Sequence, residues 1–109
     1  MRGAPRGVRR MAILVHPARA THDWLRAGVR RGDRMYHVLS DLIGPEGARE
    51  LRKAVERCGM RARWVQYPGT YREHFDTHGM FAECLMRRGA RLVGNHEVGG
   101  LLRAKRAAE

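Results

Sequence analysis

The chain has 109 residues, 43% of them apolar, and its 22 lysines and arginines against 11 acidic residues give a formal net charge of +11. That length suits a single domain with a modest core, and no stretch approaches the roughly 18 apolar residues of a membrane-spanning helix. No secretory signal is legible: the apolar run Met11 to Val15 is too short for a signal core and leads to no small-residue cleavage site, so a cytoplasmic address is expected.

Residues 1–10, MRGAPRGVRR, combine Gly, Pro and Arg with little apolar content and read as a flexible basic extension. Met11 is a candidate start codon, which would make them an upstream extension rather than a basic arm that orders on a partner. Residues 11–109 are expected to form one α/β domain. Ala12-Ile-Leu-Val15 is a continuous apolar run, as in a strand buried on both faces, and Pro17 is expected to stop it. Residues 18–34 read as a long, Arg-rich connection containing Gly28 and Gly32, with one helical turn around Trp24 and Leu25. Met35 to Leu39 reads as a second short strand or as irregular chain, and Ser40-Asp41 supplies turn and cap chemistry. Gly44-Pro45 opens a helix. Its apolar face is Ala48, Leu51, Val55 and Cys58, and Gly59 suits the position just past its end.

Ala62 to Gln66 is a strand candidate around Trp64, which makes Trp64 a core residue. The loop from Tyr67 to Asp76 follows, and a loop that long in so small a domain is usually functional or mobile. Asp76 or Thr77 is expected to cap a helix with Phe81, Cys84 and Leu85 on its buried stripe, closed by Gly89. Arg91-Leu-Val93 is a short strand, and Asn95 is expected to cap a last helix that turns Val98, Leu101 and Leu102 inward. Cys58 and Cys84 lack metal-type spacing. They are expected to be free, buried packing residues; a disulfide is the alternative, disfavoured by a cytoplasmic address.

Strands alternating with helices predict an α/β fold: a small three-layer Rossmann-like domain with a short, mostly parallel sheet of three to four strands. His16, His37, Asp41, His74, Asp76 and Asn95 all lie just after, or near the end of, a predicted strand. In a parallel sheet the carboxyl ends share the edge where ligands bind, so these polar residues are expected to converge there.

In order and spacing, several segments resemble a short bacterial and phage family, domain of unknown function 4031, from Met11 to about Arg103. They are MAILVHP, YHVLSD, the helix ending in ERCGM, RARWVQ, EHFD and the helix ending in RRGARLV. The resemblance implies that His37, Asp41, Trp64, His74 and Asp76 occupy the family's recurring polar and aromatic positions. It also implies an aspartate at the end of the first strand, where this chain carries His16. It implies no activity.

The chemistry follows from the side chains. His37-x-x-x-Asp41 and His74-x-Asp76 are two His/Asp pairs. A carboxylate beside a histidine orients the ring, raises its basicity and leaves the other nitrogen for a proton or a metal. Brought together, His16, His37, His74 and Asp76 are candidate ligands of a mixed N/O site. Such a site suits a divalent transition metal such as Zn, Mn or Fe better than Ca. His37, Asp41, His74 and Asp76 are the candidate catalytic groups, activating water for phosphoester hydrolysis with a metal or doing acid–base work without one. Each also has a plain structural reading: His37 buried on a backbone partner, Asp41 a turn cap, His74 and Asp76 braces of the long loop. No HExxH, Cys₂His₂, P-loop or GxGxxG pattern is present.

Of the cationic residues 20 are arginine, a choice GC-rich coding explains better than it explains the excess over acid. Arg61, Arg63, Arg72, Arg87, Arg88 and Arg91 flank the Trp64 segment and the long loop, and Arg26, Arg30, Arg31 and Arg34 form a second cluster. Arginine's planar fork matches phosphate, so Arg63 and Arg72, with Asn95, are candidate substrate-binding residues. Seven aromatic residues are too few for a base-stacking platform. Two functions are therefore expected to compete. One is metal-assisted hydrolysis of a phosphate-bearing substrate, nucleotide or nucleic acid. The other is a non-catalytic module for nucleic acid or an acidic partner.

Overall fold

A computed structural model describes residues 12–24 and 28–109. The basic extension, Met11, the Leu25 part of the early helical turn and Arg26 lie outside the described residues. The elements run β1 (Ile13–Arg19), β2 (Arg34–Ser40), α1 (Pro45–Arg57), a 3₁₀ turn (Ala62–Trp64), β3 (Phe75–Thr77), α2 (Gly79–Arg87), β4 (Arg91–Leu92) and α3 (Asn95–Ala107).

The four strands lie in the order β3-β2-β1-β4. β1 pairs antiparallel with β2 and β2 antiparallel with β3, while β4 joins β1 in parallel. The fold is α/β with a mixed, mostly antiparallel sheet, in place of the mostly parallel Rossmann-like sheet the sequence suggests. The cause lies in residues 18–34. Read as a crossover, they fold back as a hairpin: Trp24 bridges Val29, Ala20 N–H donates to Asp33 O, and Gly32 N–H donates to Ala20 O. Gly28 and Gly32 take the positive φ values, 70° and 88°, that such turns use. A hairpin delivers an antiparallel neighbour, whereas a parallel one needs a crossover of a dozen residues or more. Pro17 does not end β1, because β4 pairs only with Leu14 and Val15 and the strand is an edge beyond them.

Alternation along the strands builds two main cores, and a small third one, Ala20, Val29 and Met35, lies in the early hairpin. Val15, Val38 and Phe75 are register partners with no exposed surface, and Leu51 and Val55 of α1 and Ala82 and Leu85 of α2 join them. One residue out of phase, Leu14 and Leu39 pack with Val93 and with Val98, Leu101 and Leu102 of α3. Burial of Phe75 pulls residues 75–77 out of the expected loop and onto β2. The open edge of β2 is thereby filled, and of Ala62–Gln66 only Gln66 pairs, in an isolated antiparallel bridge to His74. That segment forms a 3₁₀ turn with Trp64 40% exposed, not a strand with a core tryptophan. Because Asp76 and Thr77 belong to β3, His78 rather than either of them precedes α2, and Gly94 rather than Asn95 is the N-cap of α3.

Cys58 and Cys84 form a disulfide, with their Cα atoms 5.8 Å apart, in place of the free thiols expected. Their apolar helix faces meet each other because α1 and α2 share one face of the sheet. Closing a loop of 26 residues removes unfolded-state entropy equivalent to about 3.5 kcal/mol. Reduction is expected to lower the unfolding free energy by about that amount. Urea denaturation with and without reductant reads it, and the Cys58→Ser/Cys84→Ser variant should not respond to reductant. Coincident wild-type curves would show that the cross-link contributes nothing. Among the described residues, no helix is long and apolar enough to cross a membrane.

Candidate functional site

The antiparallel register sets His16 of β1 opposite His37 of β2, and His37 opposite Asp76 of β3. Three adjacent strands thus contribute one polar row, on the face opposite Val15, Val38 and Phe75. His74, two residues before Asp76, projects on that same face. The residues therefore converge by cross-strand register and not by sharing the carboxyl ends of parallel strands.

His37 Nε2 lies 3.5 Å and His74 Nε2 3.2 Å from the same oxygen, Asp76 Oδ1. Ligand atoms of these three residues all fall within 4.8 Å of one another. Asp76 Oδ1 is buried and receives no aligned hydrogen bond. The other ring nitrogens explain why. His74 Nδ1 lies 2.6 Å from the carbonyl of Arg72, which can only accept, so Nδ1 carries the proton and donates. His16 Nε2 lies 2.5 Å from Asn95 Oδ1, another acceptor, and His16 Nδ1 lies 3.4 Å from His37 Nδ1. Donation therefore runs from His37 to His16 and from His16 to Asn95. In the neutral rings both Nε2 lone pairs then face the Asp76 oxygen. Three electron-rich atoms so close repel one another unless a cation, proton or metal, stands among them.

Titration behaviour agrees with that geometry. Burial lowers the pKa of His37 below its ordinary value, and the neighbouring His74 and His16 lower it further against the pull of Asp76. Burial also works against a charged His74, but Asp76 and the Arg72 carbonyl outweigh it and raise its pKa. Burial pushes the Asp76 carboxyl up, yet His74 and then His37 hold it below the usual carboxylate range. An added proton at this site therefore goes to His74 before His37.

One wall of the site is built on a strained residue. Tyr67 has φ 52°, the one positive φ on a non-glycine among the described residues. Its ring stacks on His74 at 6.0 Å, and the Arg72 guanidinium lies 4.1 Å over it. Composition and spacing gave no signal for this role of Tyr67. His22, in the connection after β1, adds to the lowering of the Asp76 pKa.

The remaining candidates separate. His16 stands behind His37, outside the three converging donors, and Asn95 orients His16. Asp41 lies one residue past the end of β2 and four residues from His37, about 13 Å away at strand spacing. Its Oδ1 accepts from Ala12 N–H at 3.2 Å, closing the β1–β2 pair at the opposite end. Arg63 is exposed on the 3₁₀ turn.

A family model described as "Protein of unknown function (DUF4031)" matches residues 23–105, more than half of the chain. The chain belongs to the DUF4031 family. The DUF4031 span holds His37, His74, Asp76 and Asn95, while His16 and β1 precede it. No curated protein and no solved structure matches the chain.

Proposed function

We propose that this DUF4031 chain is a metal-assisted hydrolase of phosphate-bearing substrates, with His37, His74 and Asp76 holding one divalent transition metal, Zn or Mn. The observation that carries this reading is the convergence of two histidine Nε2 atoms, at 3.5 and 3.2 Å, on one buried Asp76 oxygen. Metal-ligating histidines characteristically donate their second N–H to a carbonyl or carboxylate, as His74 donates to Arg72 O. Two imidazoles and one carboxylate suit Zn or Mn and leave positions open for water and substrate. The metal would supply a water acidic enough to attack near neutral pH.

The chain's own groups do the rest. Asn95 and His16 hold His37 in the tautomer that leaves Nε2 free. The Arg72 carbonyl does the same for His74, and its guanidinium, laid over Tyr67, sits beside the site to receive a phosphoryl oxygen. Asp41 and Arg63 have no part in this mechanism.

Hydrolysis of a chromogenic phosphodiester tests the proposal. Turnover should be lost in chelator and restored by Zn or Mn. Metal-loaded protein that turns over neither phosphomonoesters nor phosphodiesters would overturn it.

A further inference from the structure

We infer that the polymer this protein recognises is duplex DNA, gripped by the β1–β2 ribbon through Arg19, Arg30, Arg31 and Arg34. The inference deepens the phosphate-bearing reading above, although the binding it describes does not depend on the metal. Register places Arg19 directly opposite Arg34. Like charges in that relation repel across a strand pair. The ribbon's own acids form no ion pair with them among the described residues. Asp33 Oδ2 accepts the backbone N–H of Arg30 at 2.9 Å, and Asp23 Oδ1 accepts that of Arg31 at 2.9 Å. Both carboxylates thus bond the turn's backbone rather than a guanidinium, and their two charges leave the four arginines in excess.

None of the four guanidinium groups forms an ion pair among the described residues, whereas Arg91 pairs with Glu97 at 2.8 Å and Arg52 with Glu73 at 3.8 Å. On the ribbon the Arg19 guanidinium instead donates to a carbonyl, Gly32 O, at 3.4 Å. Buried Ala20, Val29 and Met35, packed with Trp24, stiffen the ribbon from beneath.

The form of the polymer follows from shape. A two-stranded ribbon fits the major groove of B-form DNA, about 12 Å wide. The major groove of duplex RNA is too deep and narrow to admit one. Single strands call for exposed rings along the binding track, and Trp24 is partly buried against the ribbon's own core.

Anisotropy of a short labelled DNA duplex, with the full chain in chelator to prevent turnover, tests this. Each phosphate contact adds about 0.9 to the slope of log affinity against log salt, so four arginines contribute about 3.6. The Arg19→Ala/Arg34→Ala variant should lose about 1.8 of that slope. Changing all four to lysine should keep most of the slope. Arg87→Ala/Arg88→Ala, with the same charge loss elsewhere, should bind as wild type does. No duplex binding at low salt, an equal loss in the Arg87/Arg88 variant, or tighter binding of single-stranded DNA or duplex RNA would each overturn the inference. Retained DNA binding by a protein that holds no metal would sink the hydrolase reading and leave this one standing.

Discussion

Replacing His74 by alanine is expected to abolish metal binding and metal-dependent hydrolysis while the fold survives. His74 is held by two polar partners, the Arg72 carbonyl and the Asp76 carboxylate, and by ring contacts with Tyr67 and His37, and it belongs to none of the three apolar cores. Its loss leaves two donors, His37 and Asp76, which cannot chelate a metal against water. Affinity for zinc should fall by more than about 100-fold, beyond the range that loss of a mere supporting residue produces. Asp76→Asn should act in the same direction, since it keeps the size and removes the charge. Asn95→Ala gives the graded control: it acts through His16 on the orientation of His37, so affinity should drop about 10- to 100-fold. Turnover at saturating metal should then stay near wild type. Competition with a chromophoric chelator measures all three, and wild-type affinity in His74→Ala would remove this cluster from consideration.

The second large effect is a reversal in pH dependence. In the metal-free protein the raised pKa of His74 means that its charged form stabilises the fold. That contribution is complete below about 6.5 and is lost as pH rises through the higher folded value. His37, whose pKa is lowered, acts in a different window. Below about 6.5 its unfolded ring takes a proton that the folded ring refuses, so stability falls as pH drops through that range. Asp76, also lowered, contributes above about 3.9 and loses its contribution as pH falls through its folded value. The metal-free site therefore supports the fold best near pH 6.5.

The proposed metal would invert the upper limb. It would need both rings neutral and would displace the His74 proton, so affinity should rise by up to about tenfold per pH unit across the His74 window. The gain in melting temperature on adding zinc should accordingly be larger at about pH 8 than at about pH 6. A gain that shrinks with pH would contradict a site made of these three groups.

Much of the site was legible in the sequence, but for a reason the structure replaces. His37, His74 and Asp76 stand out as His/Asp pairs near apolar runs, and they do meet. The sequence argument for their meeting assumed parallel strands. In fact Gly28 and Gly32 close a hairpin, and cross-strand register aligns His16, His37 and Asp76. The same reversal carries Asp41 to the far end, since β2 runs from His37 away from the cluster. Helix α1 was readable to its ends, with Pro45 at the start and Gly59, φ 91°, just past Cys58. Two features were not readable because they depend on distant neighbours: Phe75 taking the β2 edge in place of the Trp64 segment, and two helix faces bringing Cys58 against Cys84. Tyr67 was hidden for a third reason, since a positive φ on tyrosine follows from its surroundings and no residue pattern encodes it.

Metal content tests the central claim most directly. Wild type and His74→Ala, purified without chelator and incubated with zinc or manganese, are compared by elemental analysis after excess ion is removed. The geometry of His37, His74 and Asp76 predicts about one equivalent per chain in wild type and close to none in the variant. Equal content in the two, or none in wild type, would contradict it.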